Sequence, residues 1–287
     1  MQFNKPGFYP GMSEDIYHRG GLAGYSKTTL CMPTPFDYWA ERIYTGEKPE
    51  KEEKPSFLFG SLFHTMKGEP EELADRYVKN EGLHPDGGDK ILSKNSKAYE
   101  AWKEANPDKK LITPKMWADC ERMVKMLSFN PVANQLYEKP GYSECSFVNK
   151  CPETGAFIRC RPDRMWKDFT VVADLKTTGD GKAGPNSFPW EASKLHYHVS
   201  AALTTDIIEQ ITGVRPRYFF VVIEKPFPHR SAVWEATEKA LSLGRKFYRN
   251  RIKLLELCKS SGYFPTYISA EKQYEKPHEL FNFVEEL

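Results

Sequence analysis

The stretch Arg159-Cys-Arg-Pro-Asp-Arg-Met-Trp-Lys-Asp-Phe-Thr-Val-Val-Ala-Asp-Leu-Lys176 decides how this chain is read. Its second half, Val171-Val-Ala-Asp-Leu-Lys-Thr177, has the β-branched content of a strand, and period-two alternation puts Val172, Asp174 and Lys176 on one face. Val171, Ala173 and Leu175 take the other. The preceding Phe157-Ile-Arg-Cys-Arg-Pro-Asp163 also reads as a strand, with Arg159, Arg161 and Asp163 sharing a face and Pro162 marking an edge or the strand's end. A hairpin turning at Asp168-Phe169 sets Asp163 opposite Asp174. Two carboxylates across a ladder, with Cβ atoms roughly 5 Å apart, repel one another unless a proton or a cation lies between them. A hard divalent cation such as Mg²⁺, bound by one or two carboxylates and by substrate phosphate oxygens, resolves that repulsion. Lys176 would then point at whatever the cation holds.

Strand texture begins upstream of this stretch. Ser143-Glu-Cys-Ser-Phe-Val-Asn149 alternates, and Pro152-Glu-Thr-Gly155 is a hairpin turn. Glu144 is thus a third acid in the strand system, and by its residue type alone it reads equally well as a surface strand residue. Downstream, Gly179 to Gly184 is a flexible turn, and one long amphipathic helix is predicted from about Trp190 or Glu191 to Ile211. Tyr197, Ser200 and Ala201 fall at helical spacing, so one stripe of that helix can face the acids. Arg217 to Ile223 reads as a buried strand paired with Ser231 to Glu235, and a terminal helix is predicted over 236–259, ending before Gly262. The tail aromatics Phe264, Tyr267, Phe281 and Phe283 read as packing across the domain or against another subunit.

The first half is mainly helical in pattern. Residues 1–25 read as an extended lead-in. Ser26 in Tyr25-Ser-Lys-Thr-Thr-Leu30 reads as a helix N-cap, with a phosphate contact by Ser26 and Lys27 as the functional alternative. Residues 36–44 continue at helical spacing, and Glu47 to Lys54 is a charged, solvated linker. Ser56 is the predicted cap of a helix over 57–66, in which Leu58, Leu62 and Met66 recur every fourth residue. His64 stands alone in that apolar helix, a setting in which a histidine is ordinarily a hydrogen-bonded core residue. Asn80 to Lys90 is dense in turn formers and reads as a mobile loop. Two helices follow, near 96–105 and 114–128, the second marked by Thr113 as cap and Pro114 at its first position.

Length and composition bound the class. The 287 residues suit one elaborated domain: a mainly helical part to about 140, strands and helices over about 141–260, and a tail over 261–287. Lys plus Arg total 41 against 39 Asp plus Glu, so bulk charge does not advertise nucleic-acid binding, and any such surface must be local. Apolar runs such as Phe219 to Ile223 are strand-length, well short of the roughly 20 residues of a membrane span. The opening residues carry no apolar signal core, so a cytoplasmic location is expected. The six cysteines lack a C-x-x-C pair and are expected to be reduced thiols; Cys145, Cys151 and Cys160 are too few and awkwardly spaced for an iron–sulfur cluster.

Strands near 143–149, 156–163 and 169–176 followed by a helix form a β-meander with acids on successive strands. Pro162-Asp163, ten residues, then Asp174-Leu175-Lys176 completes a layout that resembles the PD-(D/E)XK nuclease superfamily. Within it the chain is similar to the RecE-like exonuclease VIII branch of the RecB-type nucleases. The matching segments are Met12 to Tyr17, Tyr25 to Leu30, Phe59 to His64, Arg161 to Asp163, Val172 to Thr178 and Tyr197 to Ala202.

The resemblance implies an α/β (α+β) restriction-endonuclease-like core, a mixed central sheet flanked by helices, with a helical N-terminal portion. It implies His64, Asp163 and Asp174 as metal ligands, Glu144 as the acid before the hairpin, Lys176 as the active-site lysine, and Tyr197 as the aromatic that closes the site. Arg159, Arg161, Ser26 and Lys27 are the candidates for phosphate contacts. Ser200 and Thr204 depart from the glutamine and tyrosine usual at those positions. The activity implied is Mg²⁺-dependent (Mn²⁺ as an alternative) 5′ to 3′ digestion of linear double-stranded DNA by a ring-shaped homo-oligomer. A RecT-like single-strand annealing protein is the implied partner, in prophage recombination. The rival expectations are an endonuclease or repair nuclease of the same superfamily, and a DNA-binding module that no longer cuts.

Overall fold

Alternation along two adjacent strands, Val171–Thr178 and Arg217–Glu224, gives the molecule a sheet with two apolar faces. The computed structural model describes residues 5–18, 24–44, 54–84, 86, 92–266 and 280–284. These two strands are parallel neighbours, with Asp174 beside Phe220 and Lys176 beside Val222. Around them the sheet runs in the order Phe281–Val284, Ser231–Ala236, Arg217–Glu224, Val171–Thr178, Arg164–Trp166, Gly141–Ser143, all other pairs being antiparallel. The central sheet is therefore mixed.

One face carries Val172, Tyr218, Phe220, Val222 and Trp234 against the helices Tyr197–Thr212 and Glu238–Ser261. The other carries Val171, Ala173, Leu175, Phe219, Val221 and Ile223 against Pro55–Gly68, Pro114–Leu127 and Pro131–Glu138. Burying side chains on both faces accounts for the near-continuous apolar run Phe219 to Ile223. Each fully buried Val, Leu, Ile or Phe contributes about 1.5–3 kcal/mol.

The hairpin has the register the sequence implies: Arg164 pairs with Ala173 and Met165 with Val172. Phe169 takes a left-handed conformation in its turn (φ 61°). The strand expected over 156–163 is instead interrupted. Phe157–Cys160 ends before Arg161-Pro162-Asp163, and Arg164–Trp166 starts again in the other sheet. Pro162, which has no N–H to give to a ladder, falls at that break. The expected strand 143–149 divides the same way, into Gly141–Ser143 and Ser146–Lys150, with Glu144 left-handed between them (φ 46°). A second, three-stranded sheet thus forms from Gly7–Tyr9, Ser146–Lys150 and Phe157–Cys160. Gly7–Tyr9 and the short helix Glu14–His18 replace the extended lead-in expected there.

Ser26 caps Lys27–Leu30 in a reciprocal capping box with Thr29, and Thr113 caps Pro114–Leu127 as expected. Lys54, not Ser56, precedes Pro55–Gly68, because Pro55 supplies the preorganised first helical position. The single helix expected from about 190 to 211 is two, Phe188–Lys194 and Tyr197–Thr212, separated at the left-handed His196 (φ 54°). Glu238–Ser261 ends on Gly262, left-handed at φ 71°. Residues 85 and 87–90 of the mobile loop expected over 80–90 lie outside the described residues, as do most of the linker 47–54 and Tyr267.

Candidate active site

The two interruptions bring the acids together. At Glu144 and Asp163 the chain crosses between sheets, and the crossings are tied by a 3.1 Å hydrogen bond in which the Glu144 N–H donates to the Asp163 carbonyl. A glutamate in the left-handed region is strained by roughly 1–3 kcal/mol, and such strain persists only where the surroundings over-determine it. Here Arg161 Nε donates to Glu144 Oε2 at 3.0 Å while its Nη1 donates to the Met12 carbonyl at 2.7 Å and to Ser146 Oγ at 2.8 Å. Arg161 is therefore committed to holding Glu144.

His64, on the third turn of Pro55–Gly68, sets Nδ1 3.4 Å from Asp163 Oδ2. His64, Glu144 and Asp163 each offer one ligand atom, and the three atoms all lie within 4.8 Å of one another. Asp163 Oδ2 also accepts from the Leu175 N–H at 2.6 Å, which fixes it against the neighbouring strand. Asp174 is buried beside this trio, and its Oδ2 pairs with Lys176 Nζ at 2.7 Å.

The electrostatics follow from crowding acids in a poorly solvated place. Burial, then Asp174, raises the Asp163 carboxyl well above the usual range. For Asp174 burial also opposes ionisation, but the Lys176 ammonium outweighs it and holds that carboxyl low. The pair splits as two close carboxyls must, one keeping its proton. Burial pushes Glu144 up to about 7, against the pull of Arg161. His64 is pushed down to about 4 by burial and then by Lys176, so at neutral pH it is an uncharged imidazole able to donate a lone pair. Burial lowers the proton affinity of Lys176, but Asp174 and Asp163 raise it further, and it stays charged.

Tyr197 closes the arrangement from its helix: Lys176 Nζ is 5.5 Å and Lys27 Nζ 5.9 Å from the centre of its ring, which stacks on Phe220. Lys27 is thus beside the site, its proton affinity lowered by burial and by Lys176. Ser26 spends its hydroxyl on its cap. Arg159 is buried at 7% exposure with its guanidinium over the Tyr17 ring, so it packs the small sheet and is not displayed beside the acids. Ser200 Oγ lies 3.5 Å from the Tyr218 hydroxyl. Cys145, Cys151 and Cys160 are buried in the apolar cluster on the Tyr197 helix side, and burial pushes the Cys145 thiol up to about 12.

Tyr137, which the sequence reading passed over, lies in the field of the acids: after burial, Asp163 and Asp174 raise the proton affinity of its phenol. Its helix, Pro131–Glu138, was signalled by Asn130 as cap and Pro131 at the first position. Arg164 Nη2 donates to the Tyr137 carbonyl at 3.0 Å, fastening that helix to the residue after Asp163.

A donor set of one neutral imidazole and crowded carboxylates, with protons retained where charge is not otherwise compensated, fits a divalent cation that prefers oxygen and tolerates nitrogen, such as Mn²⁺ or Mg²⁺. No helix among the described residues is long and apolar enough to cross a membrane.

Comparison with known proteins agrees with the geometry. The family model described as a PDDEXK-like domain of unknown function (DUF3799) matches residues 33–277. A solved structure from Eubacterium rectale, described as a "Putative exonuclease", is similar with a TM-score of 0.62 over 88% of this chain and 88% of its own, at 14% identity. At that identity the likeness is one of fold. No curated protein matches.

Proposed function

The chain belongs to the PDDEXK-like domain family, and from that premise we propose that it is a divalent-metal-dependent exodeoxyribonuclease acting on linear double-stranded DNA. The observation that carries this reading is the convergence of His64, Glu144 and Asp163 within 4.8 Å beside an Asp174–Lys176 ion pair. His64, Glu144 and Asp163 would hold the cation, with Asp174 adjoining. When bound, it supplies charge neutralisation at the scissile phosphate and a more acidic water.

The chain's own groups do the rest. Lys176, kept charged by Asp174, presents an ammonium to the developing charge on the phosphate. Asp163 is fixed by the Leu175 N–H, so little reorganisation is needed when substrate arrives. Tyr197 walls one side of the site, and Lys27, with Nζ 5.9 Å from its ring centre, would contact a flanking phosphate. The likeness to RecE-like enzymes and the description of the similar E. rectale structure favour an exonuclease. On the RecE-like resemblance, digestion runs 5′ to 3′, leaves 3′ single-stranded overhangs, and is performed by a homo-oligomeric ring working with an annealing protein.

The test is digestion of linear duplex labelled separately at each 5′ and 3′ end, with Mg²⁺ or Mn²⁺, beside covalently closed circles. Release of 5′ label first, with circles spared, is expected. Digestion by Lys176→Ala as fast as by the wild type would sink the assignment of the site, and cutting of circles would turn the reading to an endonuclease.

A further inference from the structure

Tyr137 carries a hydroxyl that is buried and has no hydrogen-bond partner among the described residues. Leaving such a group unmade costs about 1–3 kcal/mol, so a native structure that keeps one calls for an account. The ring's surroundings supply it. Lys67, one helical turn beyond His64, sits with Nζ 4.8 Å from the ring centre, and Arg164, the residue after Asp163, grips the Tyr137 carbonyl. Tyr137 is thus held, ring and backbone, by the neighbours of two of the three candidate ligands, His64 and Asp163.

The charges that act on the phenol are the site's own. After burial, Asp163, Asp174 and Glu144 in that order raise its proton affinity, so the hydroxyl remains a proton donor at any working pH. A buried phenol hydroxyl that bonds to no described residue and lies in the field of three carboxylates is a group that a held water can satisfy.

We infer that Tyr137 is a positioning residue whose hydroxyl donates to a water held among His64, Glu144 and Asp163 when a divalent cation occupies them. The inference rests on the nuclease reading of that site and adds a residue from a helix outside the segments carrying the family resemblance. Its chemistry is limited to orientation: the O–H fixes one lone pair of the water and transfers no proton.

Tyr137→Phe removes the oxygen and nothing else, and the test compares it with wild type in three measurements. The melting temperature without metal should be unchanged or higher, since an unmade polar group is deleted. Mn²⁺ affinity by calorimetry should fall about 3- to 10-fold. Turnover on linear duplex should fall about 10-fold with KM for DNA within twofold. A drop in the metal-free melting temperature would show that the hydroxyl is bonded within the protein and overturn the inference. So would Mn²⁺ affinity within twofold of wild type, whatever the turnover. Wild-type protein that binds no Mn²⁺ and cuts nothing overturns the nuclease reading itself and this inference with it, which keeps the two failures apart.

Discussion

The backbone N–H of Leu175 donates a 2.6 Å hydrogen bond to Oδ2 of Asp163, the same oxygen that faces His64 Nδ1 at 3.4 Å. One atom therefore both fixes Asp163 against the neighbouring strand and faces the candidate metal site. Asp163→Asn keeps an acceptor for Leu175 while removing a carboxyl from a crowded acid cluster. Metal-free Asp163→Asn is expected to melt at or above the wild-type temperature, and Asp163→Ala lower by the equivalent of about 1–3 kcal/mol for the unpaired N–H. Both should lose DNA cleavage by at least about 100-fold, on the scale of removing one electrostatic stabiliser. Equal stability of the two variants would show that the hydrogen bond is incidental.

Lys176 and Asp174 stand two residues apart on one strand face, and their charges compensate each other, the carboxyl at 8% side-chain exposure and the ammonium at 24%. Lys176→Met strands a buried carboxylate, and a loss of about 2–3 kcal/mol in urea unfolding at pH 8 is expected, at the low end for a broken buried pair because Lys176 is partly solvated. Adding Asp174→Asn should return most of that stability without returning cleavage. A double variant no more stable than Lys176→Met would mean that the lysine stabilises through packing of its stem.

How much of this was legible in the sequence depends on the range of each signal. The hairpin register that places Asp163 and Asp174 near one another follows from period-two alternation around Asp168-Phe169, and the structure has it. Pro162 marks the end of one flanking strand, but the division of the other between two sheets does not follow, because Glu144 takes a left-handed conformation without a glycine or asparagine to announce it. The same reason hid the break at His196. Phe281–Val284 joins the sheet edge beside Ser231–Ala236 from far along the chain, a pairing that local periodicity cannot carry. As for the site, residue type and spacing nominated Asp163, Asp174 and Lys176, and the family resemblance added His64, whereas the commitment of Arg161 to Glu144 and the position of Tyr137 required the assembled fold.

His198 is fully buried, and its imidazole is pushed down to about 3 by burial and then by His196 and Lys27. The native state therefore refuses a proton that the unfolded chain accepts below about 6.5. Stability from this group is complete above that pH and declines as pH falls toward 3, by up to ~1.4 kcal/mol per pH unit. Urea unfolding of wild type and His198→Gln between pH 7.5 and 5 isolates it, since other titrating groups cancel in the difference. The wild-type curve should be steeper by close to one proton. Parallel curves would mean that His198 is protonated in the native state.

Gly244 is where the helix Glu238–Ser261 comes against Tyr197–Thr212: a Cβ there would collide with the His198 carbonyl oxygen and stand 2.8 Å from the Ala202 Cβ. Backbone cannot yield as a flexible side chain can, so Gly244→Ala must part the helices, at a cost of about 1–3 kcal/mol typical of overpacking. His198 follows Tyr197, whose ring bears on Phe220 and lies 5.5 Å from Lys176 Nζ, so the displacement reaches the wall of the site. His64, Glu144 and Asp163 stand on other parts of the chain and should keep their arrangement. Gly244→Ala is thus expected to bind Mn²⁺ with wild-type affinity while digesting linear duplex several-fold more slowly, measured well below its lowered melting temperature. Wild-type digestion by the destabilised variant would show that the position of Tyr197 is set by Phe220 and not by the helix contact at Gly244.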